Sequence, residues 1–385
     1  MRKSISILGS TGSIGLSTLK IIDKKKNNFR INILAANKNY PLIIQQIKKY
    51  KPKIFVVSNK IIFNKINKRF KKKKIKILNN FDLKSLLISD YTISAIPGIA
   101  GLHPTLRMIG ISKNLLIANK ESIICGWNIL KKEASKNKTK IIPIDSEHFS
   151  ILKLLENQKI NEIKKIYITA SGGPFLNLNI KSFKNIKPQD ALKHPKWKMG
   201  KKISIDSSTL MNKIFELAEA QKLFNLPDNM IDIIIHPESL VHAIVQLKNG
   251  LSKFIYHKTS MIIPIANAIF EKNLNIEEFY NSKNDIKKPI ENLNFKKVDS
   301  KIFPMIKLKN KINKFPSSSI IINASNEILV DQFLRKKIPF LSISKTIMKI
   351  LNDRNYRKYA IRKPKNIIEI KKIDQWARAS ILRKI

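Results

Sequence analysis

The first third of the chain alternates short apolar runs, rich in β-branched residues, with longer runs of helical spacing. Helical spacing is evident in Leu16–Lys25 and Leu42–Tyr50. This alternation predicts an α/β domain with a parallel, doubly wound, Rossmann-like sheet, because parallel strands need long crossover connections that helices supply. The predicted buried strands are Ser4–Leu8, Ile31–Ala36, Ile54–Val57, Tyr91–Ile96, Leu115–Ala118 and Lys140–Ile144.

The pattern changes after about residue 150, where strand-like runs no longer alternate regularly with helical ones. Asn249-Gly250 separates the last two of these runs, and Asn-Gly is a strong signal for a tight β-hairpin. An antiparallel hairpin beside other strands predicts a mixed sheet in a central α/β domain. The runs are Ile163–Ala170, Met230–Ile235, Val241–Leu247 and Leu251–Tyr256.

The remainder of the chain differs in composition from both sheets. Residues 276–315 are polar and punctuated by proline, which suggests a linker, and the following residues have mostly helical spacing. A length of 385 residues predicts two or three domains. We therefore divide the chain into domains at 1–149 and 150–275, a linker at 276–315 and a C-terminal helical domain at 316–385.

The net charge of +47 does not by itself indicate a nucleic-acid-binding protein. Lysine is spread over almost every segment together with abundant Ile and Asn, which is typical of a codon bias toward A and T. No RNA- or DNA-binding motif or aromatic platform accompanies the charge. We therefore expect no nucleic-acid partner, although such a protein remains the alternative from another functional class.

Other bulk features argue against a membrane protein or a disulfide scaffold. No run of about 18 uncharged apolar residues occurs, so the sequence predicts no bilayer span. The first apolar stretch runs into glycines and is interpreted as a strand, not a signal peptide. The only cysteine, Cys125, excludes an intrachain disulfide and fits a reducing cytoplasm.

A glycine-rich turn follows the first predicted strand and opens the first predicted helix. It spans Gly9–Gly15 with the spacing G-x-x-G-x-x-G, a variant of the dinucleotide-binding G-x-G-x-x-G. Glycine lets the backbone approach a pyrophosphate, and the helix N-terminus supplies N–H donors and partial positive charge. A purely structural turn is the alternative, since the motif alone is weak.

The end of the second predicted strand indicates which nicotinamide nucleotide is bound. An NAD-binding fold usually carries an acidic residue there, which holds the ribose 2′-hydroxyl. This chain instead has Asn37, Lys38 and Asn39, which offer a positive charge and amides to a 2′-phosphate. The missing acid favours NADPH over NADH.

A second group of polar residues follows the predicted strand Lys140–Ile144. Asp145, Ser146 and Glu147 lie at a strand's carboxyl end, where open α/β sheets build their sites. If the segment is extended, Asp145 and Glu147 face the same way and present oxygens to one cation. Two carboxylates are too few for a tight site, so a third ligand must come from elsewhere in the chain.

The segment Asp206–Glu216 offers that third ligand together with phosphate-binding groups. Its Ser-Ser-Thr cluster is typical of a helix N-cap, and the helix that follows would carry Asn212, Lys213 and Glu216 on neighbouring positions. Such a helix start can bind a phosphate, with Glu216 reaching a metal. The alternative is a capped helix with an exposed Lys–Glu pair.

Two further segments suit a phosphate loop and a lid. Ser171 precedes two glycines and a proline after a predicted strand, and His194–Gly200 combines an imidazole with the indole of Trp197 in an irregular stretch. A lid of that composition would close over a ligand and exclude water. An ordinary surface loop with a half-buried Trp is the alternative.

Taken in order, these segments resemble the 1-deoxy-D-xylulose 5-phosphate reductoisomerase family. The resemblance covers nearly the whole chain. The segments that carry it are Gly9–Gly15, Ala118–Ser122, Asp145–His148, Ser171–Phe175, His194–Lys201, Ser207–Glu216, His236–Ser239 and Asn323–Glu327.

The resemblance implies a role for each matching residue. Implied metal ligands, for Mg²⁺ or Mn²⁺, are Asp145, Glu147 and Glu216. Implied catalytic residues are Lys120, Glu147 and His194. Implied substrate contacts are Ser146, Ser171, His194, Trp197, Ser207, Asn212, Lys213 and Glu216, with His148 and His242 nearby. Implied NADPH contacts are Thr11, Gly12, Ser13, Ile14, Asn37, Lys38, Asn39, Asn119, Glu121 and Gly200.

The resemblance further implies an oxidoreductase of isoprenoid precursor synthesis. Such an enzyme rearranges and reduces 1-deoxy-D-xylulose 5-phosphate to 2-C-methyl-D-erythritol 4-phosphate, using NADPH and a divalent metal. Residues 1–149 would bind NADPH, and residues 150–275 would carry catalysis and the contacts of a cytoplasmic homodimer. An NADP-dependent, metal-assisted dehydrogenase acting on another phosphorylated hydroxy-ketone is the alternative enzyme.

The chain departs from the family pattern at two places. Asn37 stands where glycine is usual after the second strand, and His257–Pro264 lacks the Pro-Asp-Met-Arg run expected before Pro-Ile. The second departure affects local packing, or a dimer or interdomain contact, more than the chemistry. None of the positions assigned to chemistry departs from the pattern.

Overall fold

The computed structural model describes residues 2–83, 87–197, 199–270, 274–280 and 292–385. The chain divides into two compact units, each built from separate stretches of sequence. The first unit comprises Met1–Ser122, Asn128–Phe149 and Ser260–Glu291. The second comprises Ile123–Trp127, Ser150–Thr259 and Asn292–Ile385.

The first unit contains a seven-stranded sheet in which every pair of neighbouring strands is parallel. Its strands are β1 (Lys3–Leu8), β2 (Phe29–Ala36), β3 (Ile54–Val57), β4 (Lys76–Leu78), β5 (Ser89–Ser94), β6 (Ser112–Ile117) and β7 (Lys140–Pro143). Helices are α1 (Ser13–Lys24), α2 (Tyr40–Tyr50), α3 (Lys60–Phe70), α4 (Leu102–Ile109), α5 (Lys120–Asn137) and α6 (Ser146–Leu154), the last two continuing into segments of the second unit.

The strand order is β4-β3-β2-β1-β5-β6-β7. Successive crossovers therefore run outward in both directions from β1, and the order reverses between β1 and β5. That reversal is the switch point where doubly wound sheets bind nucleotides. The glycine-rich turn leaves β1 at this point, so the predicted Rossmann-like fold and the place of its turn are confirmed.

The core of the first unit is aliphatic because its strands are covered on both faces. Leu8, Ile33 and Val56, from three neighbouring strands, are fully buried, and Met108 from α4 packs with them. Transferring such side chains out of water contributes roughly 1.5–3 kcal/mol each. The apolar character of these strands explains why six of the seven were predicted from the sequence.

Residues 260–280 belong to the first unit, whereas the sequence-based division places most of them in the second domain. Helix α10 (Ile262–Phe270) packs against α1. The rings of Phe29 and Phe270 meet edge to face at 5.7 Å, and Lys25 forms a salt bridge with Glu278. A late segment of the chain therefore completes the first unit.

The second unit contains a five-stranded mixed sheet, as predicted. Its strands are β8 (Ile163–Ala170), β9 (Ile231–Ile235), β10 (Val241–Leu247), β11 (Ser252–Tyr256) and β12 (Lys296–Lys297), in the order β11-β10-β8-β9-β12. Strands β8 and β9 are parallel, and the other pairs are antiparallel. The Asn249-Gly250 hairpin joins β10 to β11, with Gly250 at φ +92°.

Helices make up most of the rest of the second unit. They are α7 (Pro188–Ala191), α8 (Lys201–Ser208), α9 (Met211–Phe224), α11 (Ser318–Leu334), α12 (Phe340–Leu351), α13 (Tyr356–Ala360) and α14 (Ile367–Leu382). Helix α11 packs against both α12 and α14, which gives the predicted helical C-terminal region. Within the described ranges, no helix has the length and apolar character needed to cross a bilayer.

The predicted linker at 276–315 can be compared with the structure only outside residues 281–291, which are not among the described residues. Lys296 and Lys297 form β12 at the sheet edge. Phe303, Met305 and Leu308 are at most 1% exposed. This part of the segment therefore packs in the second unit instead of connecting domains through solvent, because its few apolar residues are enough to anchor it.

Candidate active site

The turn after β1 has the geometry that a pyrophosphate requires. Helix α1 begins at Ser13, its N-cap is Gly12, and no side chain caps it. Gly9 adopts φ +86°, and a Cβ there would lie 2.6 Å from the Ala95 carbonyl oxygen. A Cβ on Gly15 would collide with the backbone of Gly9 and Ser10. The turn is thus pressed against the end of β5, and the first N–H groups of α1 are left to an anion.

The residues after β2 form an exposed polar corner. Asn37, Lys38 and Asn39 are all exposed, and no carboxylate stands among them. Asn39 caps α2, because its Oδ1 accepts the Leu42 N–H at 3.3 Å. The corner therefore presents the Lys38 charge to solvent at the edge where a nucleotide's adenosine end would lie.

Asn119 and Glu121 are buried at the start of α5. The Asn119 amide donates to the carbonyls of Ile96 and Gly98, and its Oδ1 accepts the Ser122 N–H at 2.6 Å. Asn119 is therefore an N-cap that also fixes the loop after β5. Its side-chain amide is therefore hydrogen-bonded to the protein backbone at both its oxygen and its nitrogen.

Lys120 lies beside the carboxylate cluster that follows β7. Its Nζ is 3.0 Å from Asp145 Oδ2, with both side chains less than one-fifth exposed. Ser146 Oγ donates to Glu147 Oε2 at 2.8 Å, and Glu147 is 7% exposed. Two carboxylates, one ammonium group and one hydroxyl thus share a shielded corner of the first unit, where charges interact strongly.

The segment that carries these carboxylates is not extended, which corrects the prediction. Asp145 ends the connection from β7, and α6 begins at Ser146. The Asp145 carbonyl accepts the Phe149 N–H at 2.8 Å, which makes it part of the first helical turn. Asp145 and Glu147 are therefore placed at a helix N-terminus, where the macrodipole stabilises negative charge.

In the second unit, the loop after β8 meets the end of α8. Gly173 adopts φ +62°, and a Cβ there would lie 3.1 Å from the Ser207 carbonyl oxygen and 3.3 Å from Ser208 Cα. Glycine is therefore required for this close approach. The contact brings together the loop of Ser171 and the helix end of Ser207, two predicted phosphate contacts.

His194 is held as a neutral hydrogen-bond donor to Ser171. Its Nδ1 accepts the N–H groups of Trp197 and Lys196, at 2.9 and 3.2 Å. The proton is therefore on Nε2, which lies 3.1 Å from Ser171 Oγ. Burial, reinforced by the nearby charge of Lys213, lowers the pKa of His194 from 6.5 to about 4.

Trp197 lies next to a pair of histidines. Its indole meets His242 edge to face at 6.2 Å, and His242 stacks on His257 with ring centroids 4.0 Å apart. His257 was not assigned a role from the sequence, because it stands in the segment that departs from the family pattern. The neighbouring residue Lys198 is not among the described residues.

The Ser-Ser-Thr cluster does not cap α9, which corrects a second prediction. Ser207 and Ser208 end α8, and the N-cap of α9 is Leu210 at φ +67° without a side-chain cap. The Ser208 hydroxyl donates to the Ile205 carbonyl at 2.8 Å. Ser207 therefore lies at a helix-to-helix corner, and no side chain caps the start of α9.

Asn212, Lys213 and Glu216 meet on the first turns of α9, as their spacing predicted. Lys213 Nζ lies 2.7 Å from Glu216 Oε2, and the Asn212 amide donates to Glu216 Oε1. Glu216 is 1% exposed. A carboxylate this deeply buried requires such partners, because desolvation of an unpaired charge is costly.

A cavity of about 780 Å³ opens at the Ser171 loop in the second unit. Its wall includes Ser171, the glycine-proline loop, Pro195 and Lys196 of the predicted lid, and Pro237 after β9. His236 and Ser171 follow parallel strands, and the His236 N–H donates to the Ala170 carbonyl at 2.7 Å. Space for a small ligand therefore adjoins Ser171, one of the predicted phosphate contacts.

The chain is similar to known proteins along nearly its whole length. Three family models match: 1-deoxy-D-xylulose 5-phosphate reductoisomerase at residues 5–126, its C-terminal domain at 141–224, and the DXP reductoisomerase C-terminal domain at 257–380. A 1-deoxy-D-xylulose 5-phosphate reductoisomerase of Pelagibacter ubique is 48% identical, covering 98% of each chain. That of Buchnera aphidicola is 39% identical and covers all of this chain and 98% of the relative.

Solved structures agree with the sequence relatives. A crystal structure of DOX-P reductoisomerase in complex with NADPH, fosmidomycin and magnesium superposes with a TM-score of 0.90 at 31% identity, covering 99% and 98% of the two chains. The Zymomonas mobilis enzyme in complex with NADPH superposes with a TM-score of 0.87 at 29% identity. The resemblance inferred from sequence is therefore confirmed in both sequence and fold.

Proposed function

Because the chain belongs to the 1-deoxy-D-xylulose 5-phosphate reductoisomerase family, we propose that it converts 1-deoxy-D-xylulose 5-phosphate to 2-C-methyl-D-erythritol 4-phosphate with NADPH and a divalent metal. The observation that carries this proposal is the 48% identity to a curated relative along nearly the entire length. It is an NADP-dependent oxidoreductase of isoprenoid precursor synthesis.

The residues present fit both bound groups. The uncapped start of α1 suits a pyrophosphate, with Thr11, Gly12, Ser13 and Ile14 lining the turn. Asn37, Lys38 and Asn39 would hold the adenosine phosphate. The remainder of the NADPH molecule would lie against Asn119, Glu121 and Gly200. Carboxylate oxygens are the ligands that Mg²⁺ and Mn²⁺ prefer, which supports Asp145, Glu147 and Glu216 as the metal ligands.

When bound, NADPH supplies the hydride, and the metal polarises neighbouring carbonyl and hydroxyl oxygens. The side chains around these groups bind and orient the substrate. Lys120 and Ser146 would donate hydrogen bonds to substrate hydroxyls, and Glu147 would also hold or move a proton. The Lys120 ammonium group pairs with Asp145 at 3.0 Å. When substrate binds, it would exchange this carboxylate for a substrate oxygen.

The substrate phosphate would bind in the second unit. Ser171 Oγ accepts from Gly173 N–H at 3.1 Å and from His194, so its own hydrogen is left to donate to a phosphate oxygen. Ser207, Asn212 and Lys213 would complete the contact from the corner between α8 and α9. Binding energy from this non-reacting group can drive closure of His194 and Trp197 over the substrate, which excludes water.

Further properties extend the proposal. We assign NADPH binding to residues 1–149 and catalysis with dimer contacts to residues 150–275, and we propose a homodimer in the cytoplasm. Either Mg²⁺ or Mn²⁺ would serve as the metal, since both take oxygen ligands in octahedral geometry. The substrate is the small phosphorylated sugar, and neither a nucleic acid nor a membrane is required as a partner.

The test is a direct assay of the purified protein. It is incubated with 1-deoxy-D-xylulose 5-phosphate, NADPH and Mg²⁺ or Mn²⁺, while absorbance at the nicotinamide band is followed. We expect oxidation that depends on both substrate and metal, with 2-C-methyl-D-erythritol 4-phosphate as product. Oxidation only with a different phosphorylated hydroxy-ketone would instead identify the alternative dehydrogenase.

A further inference from the structure

A buried carboxylate stands immediately before the phosphate contact Ser207. Asp206, on α8, is 1% exposed. It is not among the residues assigned to substrate, metal or nucleotide. Taking a carboxylate out of water costs several kcal/mol, so a charge retained at this position requires specific partners.

Those partners come from two directions. Lys202 Nζ, one turn earlier on α8, lies 2.9 Å from Asp206 Oδ2. Asn326, on α11 and fully buried, donates through Nδ2 to Asp206 Oδ1 at 2.7 Å. One oxygen is therefore neutralised within α8, while the other connects α8 to a helix far away in sequence.

Helix α11 is itself held firmly where it meets Asp206. Glu327, next to Asn326, pairs with Arg378 on α14, and Arg378 Nε lies 2.6 Å from Asp374. Burial lowers the pKa of Arg378, but the hydrogen bonds to Asp374 and Glu327 outweigh this and raise it well above its usual value. The Asn326 amide therefore reaches Asp206 from a fixed helix.

The opposite side of α8 is also tightly packed, against the loop that contains Ser171. Gly173, in the loop of Ser171, approaches the Ser207 carbonyl so closely that even a methyl group would be 3.1 Å from it. A rotation of α8 would break the Asp206–Asn326 hydrogen bond on one side or the Gly173 contact on the other. The backbone at Ser207 is thus constrained by contacts on both sides of α8.

We infer that Asp206 is a positioning residue for the substrate phosphate: through Asn326 it ties the end of α8 to α11 and so fixes Ser207 against the Ser171 loop. The inference rests on the proposed phosphate site. A hydrophobic pair would hold two helices together equally well, but a buried hydrogen bond between charged and polar groups also fixes their register.

The test exchanges the two partners. N326D places two carboxylates face to face and breaks the contact, whereas D206N/N326D restores one N–H donor opposite one carboxylate with the total charge unchanged. N326A is a second single variant, in case N326D does not fold. D353N is the matched control, because it removes a partly buried carboxylate, paired with Lys384, that contacts neither α8 nor the charge cluster that holds α11.

Three quantities are measured for each variant: kcat and KM for each substrate, the Kd of inorganic phosphate by calorimetry without turnover, and the melting temperature. We expect N326D and N326A to raise KM for the sugar phosphate and Kd for phosphate about tenfold, with KM for NADPH unchanged. The double variant should recover most of that loss. D353N should lower the melting temperature and leave phosphate binding unchanged.

The inference is overturned if both single variants lower the melting temperature but bind phosphate like the wild type. It is also overturned if the folded double variant binds phosphate no better than N326D. Absence of wild-type turnover with the sugar phosphate would instead reject the proposed function. The phosphate measurements separate the two failures, because they do not depend on the reaction.

Discussion

Glu216 and Lys213 form a buried pair that, in the proposed site, would serve two ligands. In the structure, the ammonium group lies 2.7 Å from a carboxylate that we propose as a metal ligand. A divalent cation on that carboxylate would repel Lys213 and weaken the pair. Lys213 would then be available to the substrate phosphate, while Glu216 remains with the metal.

This division of roles predicts different kinetic effects at the two positions. K213A should raise KM for the sugar phosphate roughly 10- to 100-fold with a smaller change in kcat, because it removes a charged hydrogen bond. E216Q should lower kcat by about 100-fold or more at every accessible metal concentration. Steady-state kinetics with varied substrate and Mg²⁺ checks both, and equal, mild effects would contradict the assignment.

The pH dependence of His194 follows from its depressed pKa. The pKa of His194 is about 4 in the folded protein, below the usual 6.5. Between these two pH values, His194 is therefore protonated in the unfolded chain and neutral in the folded protein. The stability that neutral His194 supports is therefore fully present above pH 6.5 and is lost as pH falls toward 4. Protonated Nδ1 can no longer accept the Trp197 N–H, so the 194–197 turn should open near pH 4.

An NMR titration of the His194 ring measures this pKa directly. We expect a midpoint near 4 in the free protein and a higher value with inorganic phosphate present, because a bound anion offsets the Lys213 charge. The S171A variant is the comparison that removes the Nε2 partner. A ring that titrates near 6.5 in the free wild-type protein would contradict the neutral, buried donor.

At the scale of elements, the contact between the Ser171 loop and α8 predicts the effect of adding one methyl group. G173A combines φ +62° with a Cβ 3.1 Å from the Ser207 oxygen. We expect it to lose about 1–3 kcal/mol of stability and to raise KM for the sugar phosphate. G250A is the control, since Gly250 has φ +92° but open space around it.

Comparing G173A with G250A distinguishes the effect of backbone strain from that of a steric clash with Ser207. Both should lower the free energy of unfolding, measured by chemical denaturation, but only G173A should change KM. Unaltered KM in a folded G173A protein would mean that Ser207 is not positioned by this loop. A large KM change in G250A would mean that strain anywhere in the unit reaches the site.

Elements with strong local signals could be predicted from the sequence. Strands β3, β8 and β10 were predicted with their observed bounds, because apolar runs bounded by polar turns mark buried strands. Strand β4 was missed, since Lys76–Leu78 is short and lies at the sheet edge. The Ser-Ser-Thr cluster was wrongly predicted to cap α9. The true N-cap, Leu210, has a left-handed backbone conformation, which is rare for leucine and cannot be recognised in the sequence.

Candidate site residues were found for a different reason. Asp145, Glu147, Asn212, Lys213 and Glu216 stand in compact motifs, so spacing and family resemblance both indicate them. Asp206 and Asn326 are separated by more than a hundred positions and become partners only through tertiary packing. No periodicity in the sequence joins them, so the role that we propose for them could be inferred only from the structure.

At the scale of the whole molecule, the first unit depends on residues 260–280. Ile265 and Ile269 of α10 are fully buried, and together they account for roughly 3–6 kcal/mol of transfer free energy as an upper estimate. A fragment of residues 1–149 should therefore melt at a lower temperature than the same fragment mixed with a peptide of residues 260–280. A scrambled peptide is the control, and equal melting temperatures would contradict this dependence.

The split first unit also has a consequence during synthesis and in evolution. The ribosome completes Phe149 and then makes most of the second unit before it reaches Ser260. At about 5–20 residues per second, the nascent Rossmann-like sheet waits on the order of ten seconds with the face of α1 uncovered. A gene-level exchange of this unit would have to move two separate stretches of sequence, one up to Phe149 and one from Ser260, so the unit cannot be inherited as one contiguous cassette.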